Sequence, residues 1–573
     1  MTFTSILFDL LEMHGVRDIV CSPGSRNVPL LLEAEARPLL RKHFVVDERS
    51  AAFMGLGMSL VSQQPVALVC TSGTALLNYA PAVAEAYYQS IPLIVISADR
   101  PIQWIDQDDS QTLRQDGALD NYVKKSFSIP ALGEDNKEML WYVKRIVNEA
   151  LILAKSGRPG PVHINVHLGE PLNRKVDLSE RPSAISTIVA DTISNKEILK
   201  DYAEELSQSN VMLVAGFDQP SAELQKAVGA FARHKNVVVM AETISNLHLA
   251  PSDYSIDSVL TAYDARIIDK YAPEIVISIG GALVSRKLKE YLRRNSHKFR
   301  HWTIGHSHTL TDPFQGLSEK FEISPVMFFK AINSCMRKFS KAEPHITPET
   351  SLEYPESDSM CYKERWTVLR DDALKIKNEF VAKVPWSELK AFDILLKRLP
   401  SDYNLFLSNG TPVRYAQIIS YPLPHASYCN RGVSGIDGSV STAIGGAKNY
   451  KGKTVIITGD LSMAYDIGSL SLQNVPESFK IIVIDNGGGG IFRFIPSTSE
   501  LSIREEYLCQ PPKLPLADLS KGYGWEYFEI FNEEELLKSF PKFLTSSGKG
   551  IMRVVCDGAL SANLLQSYML IHK

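Results

Sequence analysis

The chain has 573 residues, a length that at roughly 100 to 200 residues per domain divides into three or four units and excludes a single packed core. With 45% hydrophobic and 22% charged residues it is an ordinary globular protein, which excludes disordered, collagen-like and disulfide-scaffold classes. Sixty-one Lys+Arg against 65 Asp+Glu leave a net charge of -4, so no global positive field exists for nucleic acid or an anionic membrane, and an anionic partner must meet local arginines. Seven cysteines, never spaced C-x-x-C, read as reduced thiols of a cytoplasmic protein. The first residues, MTFTSILFDLLEMHG, carry Asp9 and Glu12 inside an apolar stretch without a basic leader, which predicts an amphipathic first helix. No run approaches about 18 apolar residues, so no membrane insertion is expected.

From Asp18 to Arg100 the apolar runs DIVCS, HFVVD, PVALVCT and PLIVISAD alternate with helical patterns, one of which starts at Glu48. A helix over 138–155 and the strand PVHINVHL complete this unit, and the Pro-, Ser- and charge-rich piece at 170–195 reads as a linker. A second alternation runs through NVMLVAG, NVVVMAE, EIVISIGG and FRHWTIG to a helix near 325–338, followed by a polar linker at 339–362. The third opens with a helix around 386–399 and continues through NLFLSNG, KTVIITGD, KIIVIDNGGG and GIMRVVCD. Strands separated by helix-length segments imply right-handed crossovers and parallel sheets. The expected architecture is three α/β domains of parallel sheet flanked by helices, at 1–180, 195–340 and 365–573. The first and third echo each other in a strand that ends in a Ser and Gly turn, VCSPGSRN and FLSNGTPVR.

The densest chemistry lies in TVIITGDLSMAYDIGSL and, one helix later, IIVIDNGGGGIF. Two buried strands deliver Asp460 and Asn486 to their C-terminal ends, where parallel sheets bind ligands. One carboxylate, one amide oxygen and a backbone carbonyl make an incomplete octahedral oxygen set, which Mg²⁺ accepts when a diphosphate supplies the rest. Glycines 487–490 let the backbone approach phosphate oxygens. Either segment alone also reads as a helix cap and a glycine turn. Arg26, Arg100, Arg414 and Arg431 follow predicted strands or sit in the turns after them; any one alone reads as a surface ion-pair partner, while four at ligand-facing positions favour an anion site, since arginine binds carboxylates bidentately.

The pair GDLS and DNGG resembles the thiamine-diphosphate motif, with Leu461 in place of its second glycine and Asp485 in place of its first asparagine. The resemblance implies a pyruvate oxidase/decarboxylase-like architecture with Asp460, Asn486 and the Gly488 carbonyl as ligands of Mg²⁺ (or Mn²⁺). It also calls for a glutamate against the pyrimidine ring. Glu48, in FVVDERSAAFMG, is the candidate, donating to the ring N1′ so that the 4′-amino group can take a proton. On the cofactor motif alone, a decarboxylase or carboligase with a smaller 2-oxo acid and an aldehyde acceptor is the nearest alternative.

The segments SPGSRN, VDERSA, TSGTA, ADRP, QTLRQ and NRGVSGIDG resemble one branch of these enzymes, the 2-succinyl-5-enolpyruvyl-6-hydroxy-3-cyclohexene-1-carboxylate synthases of menaquinone biosynthesis. That branch decarboxylates 2-oxoglutarate and adds the succinyl carbanion to isochorismate in a 1,4 manner. The resemblance implies Ser25, Arg26, Arg100, Gln111 and Arg286 for isochorismate, with Arg286 where the family commonly has lysine. Asn409, Arg414 and Arg431 are implied for the 2-oxoglutarate-derived part. Leu461, Ser462, Gly489, Ile436, Ile491 and Phe492 are implied around the cofactor. Glu48, Arg26, Gln111, Arg414 and Arg431 form the expected catalytic group. A homodimer or homotetramer with active sites between subunits is implied as well. No histidine lies between His43 and His163 or between His425 and His572, so paired histidines of the pyruvate decarboxylase type are not expected in the motifs.

Overall fold

Three all-parallel sheets, each built from the buried apolar runs of one alternation, organise the chain. The computed structural model describes residues 1–572 except 174–175, 177, 188–197, 250–255, 308, 338–359 and 420–425. Much of the two expected linkers lies outside the described residues.

The first sheet holds β1 (Asp18–Cys21), β2 (Arg41–Phe44), β3 (Val66–Cys70), β4 (Leu93–Asp99), β5 (Ser126–Ile129) and β6 (Val162–His167), in the order β2-β1-β3-β4-β6-β5. The middle sheet is β11-β10-β9-β7-β8, made of β7 (Val211–Ala215), β8 (Val237–Ala241), β9 (Ile275–Ile279), β10 (Arg300–Ile304) and β11 (Leu317–Phe321). The third is β13-β12-β14-β15-β17-β16, made of β12 (Tyr403–Leu407), β13 (Ser427–Tyr428), β14 (Lys453–Gly459), β15 (Lys480–Asp485), β16 (Glu526–Ile530) and β17 (Gly550–Val555). Renumbered within their domains, the first and third sheets have one order, 2-1-3-4-6-5. The echo between the turns after β1 and β12 is therefore an echo between equivalent positions. The expected first helix forms as Phe3–Met13, closed at its start by a reciprocal Thr2–Ser5 cap. The middle sheet's core draws on residues beyond 340, since Tyr362, Trp366, Leu369 and Ala373 of the helix Tyr362–Lys383 pack with Met212, Val214 and Leu288. Among the described residues no helix is long and apolar enough to cross a membrane.

The first and third domains meet along two helices, Glu48–Ser62 and Ser439–Lys448. Phe53 packs at Gly438, Gly57 at Thr442 and Val61 at Gly446. Both members advance four residues at a time, so the helices run in the same direction. A methyl group at Gly57 would overlap the Thr442 carbonyl oxygen, and one at Gly445 would overlap that of Met54. The sequences GLG and IGG thus let two helices touch at their backbones. Forcing extra volume into such a contact costs typically 1–3 kcal/mol, about 2–4 °C per kcal/mol in a domain of this size. Gly445→Ala should therefore lower the thermal unfolding midpoint by at least a few degrees in a calorimetric scan. Gly522→Ala, where a methyl group meets nothing within 4 Å, should leave it unchanged. Equal midpoints for the two variants would rule out the glycine contact as a source of stability.

Candidate active site

Neighbouring strands β14 and β15 bring Asp460 and Asn486 to one edge of the third sheet. Asp460 begins the short helix Asp460–Tyr465 and is buried. One of its oxygens accepts from the Leu461 amide and the other from the Gly488 amide, both at 2.7 Å, which ties the two strand-end turns together. Burial, with Asp485 alongside, pushes its pKa up to about 6. Asp485 is itself paired with Arg553 at 2.6 Å.

Asn486 is buried, and its Nδ2 donates to Glu388 Oε1 at 2.9 Å while its Oδ1 has no hydrogen-bond partner. A buried oxygen left unpaired costs about 1–3 kcal/mol, a cost that a cation accepted at that atom removes. The Gly488 carbonyl takes one bond from Arg493 Nη1 at 3.0 Å and keeps a second lone pair. Among the described residues no cluster of three or more His, Cys, Asp or Glu could hold a metal ion unaided. Asp460, Asn486 Oδ1 and the Gly488 carbonyl, one anionic and two neutral hard oxygens, fit the chemistry of Mg²⁺ or Mn²⁺ and would hold it together with oxygens of a diphosphate.

The glycine run divides its work more finely than a phosphate cradle would. Gly487, Gly488 and Gly489 all have left-handed backbone, with φ of 74°, 79° and 57°. A methyl group at Gly488 would meet the Gln510 carbonyl, one at Gly489 the Leu508 carbonyl, and one at Gly490 the Asn486 amide nitrogen. Gly487 alone of the four faces open space. Ser462 Oγ donates to the Ile436 carbonyl at 2.6 Å, joining the loop at 430–438 to the Asp460 helix. Ile436, Leu461, Ile491 and Phe492 are half-buried near this edge.

Asn409, at the end of β12, is buried and donates to the carbonyls of Asn430 and Gly435 while accepting from Arg431 Nη1 at 3.0 Å. Arg431 also reaches the Leu283 carbonyl of the middle domain at 3.3 Å, and its buried Nε has no partner. Arg414, in the helix Pro412–Ile419, donates to the Gly410 carbonyl. Burial and then the neighbouring Arg431 push the Arg414 guanidinium down to about 10. No ion pair links Arg414 or Arg431 to a carboxylate among the described residues. Two neighbouring cations held this way are short of an anion.

In the first domain the expected residues gather at the same end of the sheet, but their guanidiniums are engaged. Arg26 donates to the Leu168 carbonyl at 3.1 Å and pairs with Glu170 at 3.3 Å. Arg100 pairs with Asp109 at 2.8 Å and donates to the Ser110 carbonyl. Gln111, at a left-handed φ of 59°, donates to the Ser72 carbonyl at 3.3 Å, and Ser25 is exposed in the turn after β1. Glu48 opens its helix behind the Asp47 cap. Among the described residues no hydrogen bond or ion pair joins its carboxylate to Asp460, Asn486 or Gly488. Its neighbour Arg49 donates to the Tyr465 carbonyl at 2.9 Å and lies 5.0 Å over the Tyr465 ring. Arg286 stands apart, exposed and paired with Glu290 at 2.6 Å.

Several polar groups around this edge have no motif to announce them. Glu388 lies in WSELK, an ordinary helix start. Glu85 is buried and gives one oxygen to the Gly432 amide at 2.6 Å and the other to the Val433 amide at 2.7 Å, reaching from the first domain to the Arg431 loop. Their partners are distant in sequence, so spacing carries no signal for them.

A parallel-sheet third domain with this oxygen set, beside a first domain of the same topology, defines a thiamine-diphosphate enzyme. Residues 1–119 match the family model described as thiamine pyrophosphate enzyme, N-terminal TPP binding domain. The chain is 39% identical to the 2-succinyl-5-enolpyruvyl-6-hydroxy-3-cyclohexene-1-carboxylate synthase of Porphyromonas gingivalis, over 98% of this chain and 96% of that protein. It is 35% identical to the synthase of that name from Flavobacterium psychrophilum and 34% to that of Bacteroides fragilis, each over 98% of this chain and 97% of the relative. The chain belongs to the 2-succinyl-5-enolpyruvyl-6-hydroxy-3-cyclohexene-1-carboxylate synthase family.

Asp460 is the one anionic member of the oxygen set, so its loss leaves neutral oxygens for the metal. A lost charged contact costs about 1.5–3 kcal/mol, roughly tenfold to a hundredfold in affinity. Titration calorimetry with thiamine diphosphate and Mg²⁺ should show at least that loss for Asp460→Ala. Undiminished binding would place the metal elsewhere.

Proposed function

We propose that the chain decarboxylates 2-oxoglutarate and transfers the remaining succinyl unit to isochorismate by 1,4-addition, forming 2-succinyl-5-enolpyruvyl-6-hydroxy-3-cyclohexene-1-carboxylate and CO2 in menaquinone biosynthesis. The observation that carries the substrate reading is the neighbouring Arg414 and Arg431, neither ion-paired to a carboxylate among the described residues, near the Asp460–Asn486 edge. A dicarboxylate 2-oxo acid supplies the missing charge, and a guanidinium pair grips carboxylates bidentately. The full-length relationship to synthases of this name supports the same reading.

Bound thiamine diphosphate supplies the carbon nucleophile and the electron sink for decarboxylation. Residues 1–180 hold the pyrimidine, 195–340 form the central domain, and 365–573 hold the diphosphate and metal through Asp460, Asn486 and Gly488. Glu48 keeps a proton at the pyrimidine N1′. Asn409 orients Arg431, and Arg414 and Arg431 hold the 2-oxoglutarate carboxylate. Ser25, Arg26, Arg100 and Gln111 receive isochorismate, with Arg286 the outermost member. Because Arg26 and Arg100 already have Glu170 and Asp109 as partners, isochorismate must share or displace those carboxylates. Ser462, Gly489, Ile436, Leu461, Ile491 and Phe492 shape the cofactor's bed. The working unit is a cytoplasmic homodimer or homotetramer with active sites between subunits.

Incubation with 2-oxoglutarate, isochorismate, thiamine diphosphate and Mg²⁺, with the product identified by mass, tests the reaction. CO2 release from a smaller 2-oxo acid in preference to 2-oxoglutarate would replace it with another carboligase. Glu48→Gln keeps shape but cannot relay a proton, and loss of a positioned acid or base costs on the order of 10²- to 10⁴-fold. Turnover should fall by that factor while calorimetry shows cofactor binding retained, and near-normal turnover sinks the assignment. The arginines are separable by phase. Arg414→Ala should raise the 2-oxoglutarate concentration needed for single-turnover CO2 release by roughly tenfold to a hundredfold. Arg100→Ala should leave that phase intact and weaken the response to isochorismate. Equal effects on CO2 release would mean one shared electrostatic field.

A further inference from the structure

We propose that Glu388 is a positioning residue for the metal site, accepting from Asn486 Nδ2 so that the amide oxygen Oδ1 is the atom turned toward the cation. The inference rests on the reading of Asp460, Asn486 and Gly488 as the metal-binding set and adds the group that selects which end of Asn486 takes part. The two ends of a carboxamide are nearly equal in size, so packing alone does not choose between them. Hydrogen bonding does: Glu388 Oε1 accepts at 2.9 Å, and of the two ends only the NH₂ can donate to it. The flipped amide would set oxygen against oxygen at 2.9 Å.

Both partners are held in place. Glu388 is 2% exposed and opens the helix Glu388–Arg398 behind the Ser387 cap, with its own amide donating to Ser561 Oγ at 3.0 Å. Asn486 occupies the space that a side chain at Gly490 would need, and its carbonyl occupies the space of one at Gly558. The amide can therefore turn over in its box but cannot leave it. In the observed orientation Oδ1 is buried and without a partner, as is Glu388 Oε2 on the other side of the bond, and a cation accepted at Oδ1 would satisfy it.

Groups that orient a metal ligand typically contribute 10- to 100-fold in affinity. The test uses the purified full-length chain with excess thiamine diphosphate and reads Mn²⁺ affinity from the electron paramagnetic resonance signal of free Mn²⁺. Glu388→Gln keeps an accepting oxygen at the same reach and should bind within about threefold of the parent, whereas Glu388→Met and Glu388→Asp should each lose roughly tenfold to a hundredfold. In an Asn486→Ala background, Glu388→Met should have no further effect, because its action passes through that amide. Parent-like affinity in Glu388→Met overturns the proposal. So does a loss in Glu388→Gln as large as in Glu388→Met, which would make charge rather than orientation the cause, and so does a full additional loss in the Asn486→Ala background. Should Glu388→Met not fold, Glu388→Asp against Glu388→Gln carries the same comparison. Asp460→Ala separates the two levels: parent-like Mn²⁺ binding there removes the metal site itself, while its loss beside parent-like Glu388→Met removes only the orienting role.

Discussion

Where Gly57 meets the Thr442 carbonyl and Gly445 meets that of Met54, the first and third domains touch at their backbones, and the placement of their strand-end groups within the chain depends on that contact. The two helices run in the same direction, so both N-termini lie toward one end of the interface. One N-terminus carries Glu48, and the other follows the loop at 430–438 that carries Arg431 and Ile436. Three further links fasten this end. Arg49 holds Tyr465 at the close of the Asp460 helix, Glu85 holds the Gly432 and Val433 amides, and Asp466 holds both the amide and hydroxyl of Ser441. A helix pair spaced by larger side chains would move these groups by ångströms, while reacting groups must be held to within about half an ångström.

Three buried carboxylates around the site, Glu242, Asp466 and Glu85, are hydrogen-bonded to backbone amides. Glu242 accepts from the Val284 and Ser285 amides, both at 2.7 Å, and burial pushes it up to about 7. Asp466 is likewise pushed up to about 7 by burial, against its bonds to Ser441. Glu85 gives both oxygens to the loop that precedes the Ser439 helix. Amide donors satisfy a carboxylate's lone pairs without neutralising a cation elsewhere, so these acids brace loops while Arg414 and Arg431 keep their charge for a ligand. Had Glu85 paired with Arg431, the residue next to Gly432 in the same loop, that guanidinium would have been neutralised by its own protein.

The parts legible in the sequence share one physical property. Central strands are covered on both faces and read as unbroken apolar runs; β3, β7, β12 and β15 are buried almost throughout. The strands missing from the sequence reading are edges or near-edges: β5, β11, β16 and the two-residue β13. Of these, β5, β11 and β16 are only partly covered, and their sequences SFSI, LSEKF and EYFEI carry no apolar run. β2 was expected in HFVVD but forms earlier, as RKHF, because exposed Val46 and the Asp47 cap belong to the next helix's start. The site divides in the same way. Asp460, Asn486 and the glycines were legible because one crossover connection sets their spacing. Glu388 and Glu85 were not, since nothing but the folded chain brings them to Asn486 and Gly432.

The shared strand order of the first and third sheets gives the arrangement its economy. Arg26 lies in the turn after the first strand of one sheet and Arg414 in the helix after the first strand of the other, so both sit beyond topologically matching strands. Each donates to a backbone carbonyl, Arg26 to Leu168 just past the end of β6 and Arg414 to Gly410 in the turn after its own strand. They differ in what surrounds the remaining donors. Arg26 has Glu170 within reach, whereas the closest charged neighbour acting on Arg414 is another guanidinium. A duplicated strand-end turn thus supplies two arginine positions, and the charge placed beside each decides whether it waits with a partner or without one. An unpartnered buried pair gains most from the first anion that arrives, while a paired arginine exchanges one carboxylate for another at little net change in charge. The same backbone frame thus carries, beyond matching strands, one arginine with a carboxylate beside it and one with a guanidinium beside it.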